Sequence, residues 1–364
     1  MTYKVDKLQV TNFRNLQSDI IHFSPGINCI LGENGNGKTN ILEAIHVLAT
    51  KKSFRKNTGF PQYLGIDGEQ PEILFSSVFK DEDETPMSYS AKMNNDSSFY
   101  FVNGKPVKKI PEIKLLFINP FDSYQFHNLA AFRRSFIDTY LSMLDPEYKR
   151  ALSKYNSALR QRNVLLKKKP ARFREMVKAY DQQIVTYAVP LTHKRMVFLE
   201  EIRPFCAETF KTIFSEEHDL QIILDTRLTQ LDESYLLNML DERRQKDEDA
   251  GHTTYCIHKD DYTLLFDGLN SFDYCSLGQQ KMSYLSLLFA YIELFRYKYK
   301  SFPIVLIDDV SGELDRYRWK RLVDYLEKRE FQVLITTANE KFKEELDRIE
   351  GANRIHVDAG SIIQ

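Results

Sequence analysis

The eight residues Gly32-Glu33-Asn34-Gly35-Asn36-Gly37-Lys38-Thr39 fit the pattern G-x-x-x-x-G-K-[ST], a spacing suited to gripping phosphate. Such a cradle needs a strand, a loop and a helix in that order. Residues 27–31 form a short apolar run that predicts a buried strand, and residues 41–48 carry helical apolar spacing. The glycines leave no Cβ between backbone N–H groups and a bound oxyanion, and the helix N-terminus adds its partial positive charge. Lys38 would reach the β- and γ-phosphates of a nucleotide, and Thr39 would offer its hydroxyl to Mg²⁺. Asn34, Gly35, Asn36 and Gly37 in the loop and Asn40 in the helix complete the candidate contacts. Pumps, motors, switches and clamps all use such a loop, so it alone does not separate them.

A second set of residues lies far downstream. Residues 304–307 are four apolar residues that end in Asp308-Asp309. A buried strand whose C-terminal tip stands beside the P-loop strand is how such proteins deliver a carboxylate to Mg²⁺. Asp308 would hold the metal, and Asp309 could orient or deprotonate an attacking water; a strand ending in an Asx-turn is the structural alternative. Upstream, Ser276-Leu277-Gly278-Gln279-Gln280 opens an apolar helix, where Ser276 alone reads as a helix cap.

The elements that must position these residues follow from patterning. The first third reads as strands and turns: residues 4–10, 20–23, 73–79 and 97–102, with an Asn103-Gly104 turn. From about Phe121 the spacing is helical, with Asp145-Pro146-Glu147 as a helix start and a seam at Tyr148, Leu152, Tyr155 and Leu159. Helical composition persists to about Asp249. Strand signals return at residues 253–257 and 262–266, and the C-terminal part alternates helix and strand. The pattern describes an α/β domain in two parts, residues 1–120 and 251–364, interrupted by a helical lobe over residues 121–250.

Bulk properties exclude several classes. Of the 364 residues 43% are hydrophobic, ample for a core, and the net charge is −1, so nothing global advertises a polyanion partner. Charge is uneven, however. Residues 160–178 carry Arg160, Arg162, Lys167, Lys168, Lys169, Arg172, Arg174 and Lys178 against Glu175 alone. This is either a solvated helical face or a phosphate-tracking surface. The longest mostly apolar stretch, residues 284–295, is too short to span a bilayer, and the N-terminus has no signal-peptide core. Cys29, Cys206, Cys256 and Cys275 show no metal spacing, so reduced thiols, a cytoplasmic location and no membrane partner are expected.

Taken in order, the P-loop, Ser276-x-Gly278-Gln279, the Asp308-Asp309 strand and Gly312-Glu313-Leu314-Asp315 resemble an ABC-type ATPase head. More narrowly the chain resembles the RecF family, related to SMC and Rad50 heads. Asn12-Phe13-Arg14-Asn15, Ser53-Phe54-Arg55, "RRSFIDTYL" from Arg133 and "GHTTYCIHKDD" from Gly251 add to the match. The resemblance implies an α/β head of mixed sheets and helices with an inserted all-helical lobe. It implies that ATP with Mg²⁺ is sandwiched between the P-loop of one copy and Ser276, Gly278 and Gln279 of another in an ATP-dependent homodimer. Arg14 would lie near the nucleotide. Asp315 would reach across the dimer, or else cap the following helix. Gln125 is a candidate for the Q-loop glutamine. Asp309 stands where transporter heads carry glutamate and Thr337 where they carry a switch histidine, which implies slow turnover. The implied role is replication and recombinational repair: clamping gapped, single-stranded or double-stranded DNA without sequence preference, and loading RecA with RecR and RecO. Arg160, Arg162, Lys167, Lys168, Lys169 and Arg172 are the DNA-contact candidates. A transporter ATPase predicts a membrane partner and a much shorter helical segment, and a nucleotide-gated nuclease needs a further carboxylate cluster; neither suits this chain.

Overall fold

The computed structural model describes residues 2–363 except 56–57, 66–70, 120, 215–217, 310–314, 329–330, 338–343, 345 and 347. Two compact units divide the chain: one of Met1–Phe121, Thr212–Phe214 and Phe295–Gln364, the other of Asp122–Lys211 and Ser215–Leu294.

The first unit holds two six-stranded sheets. One is antiparallel, ordered Ile20–His22, Lys4–Thr11, Ile73–Lys80, Pro86–Met93, Ser98–Val102, Lys105–Val107. Along Ile73–Lys80 burial alternates residue by residue, as in a sheet with one covered face. The other is ordered Ser361–Ile363, Asn353–Asp358, Ile27–Leu31, Val333–Thr337, Ile304–Asp308, Leu115–Ile118, all parallel save the Ser361–Ile363 edge. Its inner strands are apolar runs: every residue of Ile27–Leu31 and Val333–Thr337 is buried, the signature of a sheet covered on both faces. The helix Lys38–Thr50 follows the P-loop strand and buries Ile41, Leu42, Ala44, Ile45, Val47 and Leu48. One apolar cluster takes in these residues, Phe75, Phe79 and Tyr89 of the antiparallel sheet, and Ile30, Leu306 and Leu334 of the parallel sheet. The core thus clamps the helix that carries Lys38 and Thr39 at its first turn.

The second unit is dominated by the helices Ala130–Leu144, Pro146–Lys168 and Phe173–Ile213, with Leu277–Tyr299 shared between the units. Asp145 caps its helix as expected, accepting from the N–H groups of Glu147 and Tyr148 at 2.8 and 3.0 Å. Two departures from the sequence reading occur here. Leu220–Asp225 is a strand inside the stretch read as helical, and it pairs antiparallel with Asp261–Phe266. Pairing partners that lie far apart in sequence override local composition. Residues 253–257, expected as strand, are not. Thr253 donates its N–H to Asn163 Oδ1 at 2.8 Å and Thr254 donates to Asp247 Oδ1 at 2.8 Å, so side chains take the bonds a ladder would supply. No helix among the described residues is long and apolar enough to cross a membrane.

Candidate nucleotide-binding site

The loop between Ile27–Leu31 and Lys38–Thr50 holds the geometry the motif demands. Gly37 sits at φ 108°, a left-handed position suited to glycine, and a Cβ there would lie 2.9 Å from Asn15 Oδ1. Lys38 is nearly buried, and its ammonium donates to the carbonyls of Gly32 and Glu33 at 2.9 and 2.7 Å. Burial pushes the Lys38 pKa down, while the carboxylates of Asp309 and Asp308 oppose that shift.

Asp308 ends the strand Ile304–Asp308. The sequence places this strand directly beside the P-loop strand; instead Val333–Thr337 lies between them. The intervening strand is put to use. Thr336 on it donates its hydroxyl to Asp308 Oδ1 at 2.8 Å, and Thr39 donates to the same oxygen at 2.8 Å. Burial raises the Asp308 pKa, and the two hydroxyls counter that. Asp309 follows at φ 46° and donates its N–H to Thr336 Oγ1 at 3.1 Å. A hydroxyl and a carboxylate meeting at hydrogen-bond distance are hard oxygen donors of the kind Mg²⁺ takes, so the residues fit that ion. Thr337 is buried at the end of Val333–Thr337 opposite Leu31.

Around the cradle stand further groups, among them Glu43, Arg55 and Asn15, to which the sequence assigns no role. Glu43 is a fully buried carboxylate on the P-loop helix. It accepts from Arg14 Nη2 at 2.8 Å, from Arg55 Nη1 at 2.9 Å and from Ser53 Oγ at 2.5 Å. Arg55 also donates to Asn40 Oδ1 at 2.8 Å, which brings the Arg14 loop and the Ser53-Phe54-Arg55 segment to the first turn of the helix. Desolvation lowers the Arg55 pKa, and Glu43 works against it. The available signal for Glu43 was one acid inside the otherwise apolar "ILEAIHVL". Asn15 donates to the Gly35 carbonyl at 2.9 Å and accepts from Asn40 Nδ2 at 2.6 Å. Asn36 donates to the carbonyl of Val357 and to Asp358 Oδ1, both at 3.1 Å. Asn34 is exposed in the loop.

The remaining candidates lie elsewhere in the chain. Ser276 and Gln279 form a reciprocal capping box, Ser276 N–H to Gln279 Oε1 at 2.9 Å and Gln279 N–H to Ser276 Oγ at 3.3 Å. A Cβ on Gly278 would meet nothing within 4 Å, and the flanking Tyr274 and Leu277 are 69% and 68% exposed. Asp315 caps the helix Arg316–Glu327 through Arg318 N–H at 2.9 Å; Gly312-Glu313-Leu314 lie outside the described residues. Gln125 sits on Asp122–Asn128 and donates to Asp122 at 2.9 Å. In the basic stretch Arg160, Lys167, Lys168, Lys169 and Arg172 are exposed around the turn between two long helices. Arg162 is not. It is fully buried between Asp181 and Asp247, each at 2.6 Å, and so leaves the exposed basic set.

The parallel sheet, the cradle at its P-loop strand and the carboxylate delivered two strands away define a P-loop ATPase head. Comparison with known proteins agrees. Residues 4–358 match the model of the RecF/RecN/SMC N terminal domain. A DNA replication and repair protein RecF of Azobacteroides pseudotrichonymphae is 30% identical over 343 residues, covering 93% of this chain and 92% of that one. The protein of the same name from Lachnoclostridium phytofermentans is 32% identical over 326 residues, 88% of this chain and 89% of its own. A solved structure of the recombination mediator protein RecF-ATP in the RecFOR pathway superposes with a TM-score of 0.85 at 25% identity, covering 100% of this chain and 97% of that one. An SMC head domain from Pyrococcus furiosus shares the fold with a TM-score of 0.59 at 17% identity. The chain belongs to the RecF/RecN/SMC N-terminal-domain family and, within it, to the RecF proteins of DNA replication and repair.

Proposed function

We propose that this chain is an ATP-gated DNA clamp. The observation that carries the reading is the convergence of Thr39 and Thr336 on Asp308 beside the Lys38 cradle. Thr39 and Asp308 would hold Mg²⁺, directly or through water, and Lys38 would exchange the carbonyls of Gly32 and Glu33 for the β- and γ-phosphates of ATP. Bound Mg²⁺ would neutralise charge on the phosphates during hydrolysis. Asp309 would orient the attacking water, and its short side chain suits slow turnover. Arg14, with Arg55 and Asn40, would border the nucleotide from the Glu43 side.

The exposed end of Leu277–Tyr299, with Ser276, Gly278 and Gln279, would meet the γ-phosphate held by a second copy, so a two-fold dimer encloses two ATP molecules. Asp315 would lie at the same interface. Loss of the γ-phosphate then opens the dimer: binding is the working step and hydrolysis the release. Lys167, Lys168, Lys169, Arg160 and Arg172 would track the phosphates of gapped, single- or double-stranded DNA without reading bases. RecR with RecO would be the partners, in the cytoplasm.

Binding of gapped duplex by purified protein tests this, with ATP, with ADP, and with Lys38→Met plus ATP, while light scattering follows the dimer. ATP alone should drive dimerisation and salt-sensitive binding. Binding that ignores the nucleotide, or a dimer insensitive to it, refutes the clamp.

A further inference from the structure

We infer that the β-hairpin of Asn353–Asp358 and Ser361–Ile363, together with Asn15, orients the phosphate loop from outside and sets its nucleotide affinity. Asn15 and Gly360 are the positioning residues. The inference rests on reading the loop as an ATP cradle.

In a trans peptide the C=O and N–H groups point in opposite directions, so fixing one aims the other. Two carbonyls of the phosphate loop are fixed in this way. The Gly35 carbonyl accepts from Asn15 Nδ2 at 2.9 Å, and the Asn36 carbonyl accepts from the Gly360 N–H at 2.9 Å. Each bond directs the N–H of the following residue to the opposite side of the loop. A loop whose carbonyls are tied outward keeps its amides on the opposite side, where the Asn36 N–H donates to the Glu33 carbonyl at 3.4 Å and would turn to an anion together with Lys38, which holds the same carbonyl. The Asn36 side chain adds two further ties to the same hairpin, to the Val357 carbonyl and to Asp358 Oδ1, across 321 and 322 residues of sequence.

The hairpin turn is built for this contact. Ala359 and Gly360 sit at φ 47° and 85°, and the Gly360 carbonyl accepts from the Gln17 N–H at 2.9 Å. A Cβ on residue 360 would lie 1.7 Å from the Asn15 carbonyl oxygen and 2.8 Å from its carbon. Gly360 therefore threads between the backbone at Asn15 and the backbone at Asn36, a fit that no side chain permits. The helix Lys38–Thr50 is held by its own buried apolar face, so losing these ties loosens the cradle far more than the fold.

Binding of a fluorescent ATP analogue with Mg²⁺ tests the inference, on the full chain and well below its melting temperature, with circular dichroism confirming the fold. Gly360→Ala and Asn15→Ala should each weaken binding by about tenfold or more, because a loosened cradle loses both its bonds and its aim. The double variant should fall short of the product of the two, since both act on one loop. Phe99→Ser changes an exposed position on the antiparallel sheet, outside the hairpin, and should bind as the parent does. If Gly360→Ala does not fold, Asn15→Ala, which only removes a side chain, carries the test. Parent-like affinity in Asn15→Ala overturns the inference, as does an equal loss in Phe99→Ser. A parent protein that binds no ATP, or a Lys38→Met variant that binds as well, instead overturns the reading of the cradle, and the inference falls with it.

Discussion

Two clusters of buried charge can be set side by side, one in each unit. In the first unit Glu43 is sealed from water, but its partners are not: the side chains of Arg14 and Arg55 keep 18% and 36% of their surface exposed. In the second unit Arg162, Asp181 and Asp247 are closed in, at 0%, 4% and 0%, while Arg244, 3.6 Å from Asp181, keeps 18% of its side chain exposed. Both clusters cost desolvation, and both recover it through close hydrogen-bonded geometry. The difference lies in where the cations face. Arg14 and Arg55 are anchored at the back by Glu43, with Arg55 bonded to Asn40 at the P-loop helix, so a nucleotide at the cradle could use them. Arg162 joins Pro146–Lys168 to Phe173–Ile213 and to Arg244–Ala250, and its Nη2, without a hydrogen-bond partner among the described residues, is sealed from solvent and so from any ligand. An arginine in a basic run can thus be a structural pin, while one beside a motif can be a working group.

The largest expected effect tests the sealed cluster. Arg162→Leu leaves Asp181 and Asp247 buried with their main cation gone, which should cost about 3–5 kcal/mol of stability. Urea denaturation would measure the loss. ATP affinity of the folded variant should be unchanged, since Arg162 and the cradle belong to different units. Wild-type stability would show that Arg162 is not the pin its burial implies.

How much of this contrast was legible in the sequence follows from how each part is encoded. The cradle, the Asp308 strand and the Ser276 helix start are written in contiguous motifs, where local spacing carries the geometry. Glu43, Thr336 and the C-terminal hairpin act through partners far away in sequence, and no local pattern names those partners. Arg162 shows the same limit from the other side. Its neighbours Arg160, Lys167 and Lys168 are exposed, and only the helix face, fixed by packing, sets Arg162 apart. The strand Leu220–Asp225 has no local signature for a related reason: its partner, Asp261–Phe266, is supplied only by the fold.

A smaller effect tests the open cluster. Glu43→Gln keeps the shape of the side chain but removes the charge that holds Arg14, Arg55 and Ser53. The partly exposed arginines can turn to water, so stability should fall by only about 1–3 kcal/mol. Nucleotide affinity should drop with it, by about tenfold, because the anchors of both arginines loosen together. Calorimetric titration with ATP alongside a thermal melt separates the two. Lost stability with intact affinity would reduce Glu43 to the same structural role as Arg162, and the contrast between the units would collapse.

The smallest effect concerns a half-buried group that avoids charge altogether. His258 lies between Tyr155 and Thr253 in the second unit, with Nδ1 3.1 Å from the Tyr155 hydroxyl and Nε2 3.0 Å from the Thr253 carbonyl. The carbonyl can only accept, so Nε2 carries the proton and Nδ1 accepts from the hydroxyl. Burial pushes the His258 pKa down from 6.5 to about 4, opposed by the hydrogen bond to the Thr253 carbonyl and, less, by Asp247, and helped by the nearby cations Lys259 and Arg134. Between those values the unfolded chain binds the proton and the folded one does not, so the stability His258 contributes is complete above pH 6.5 and lost as pH falls toward about 4. Asp260, raised to about 6 mainly by burial, acts in the opposite sense: its folded form gains stability as pH falls through about 6. The two partly cancel in the intact protein, so a single pH profile would conceal both. The difference between His258→Gln and the parent removes Asp260 from the comparison. At about pH 7 the variant should be the less stable, having lost the imidazole's fitted bonds, and the gap should close as pH falls to about 4.5. Denaturation curves across that range read the gap directly. A gap that stays constant would mean that His258 takes up its proton in the fold at the same pH as in the unfolded chain, near 6.5, so that its surroundings do not resist the charge.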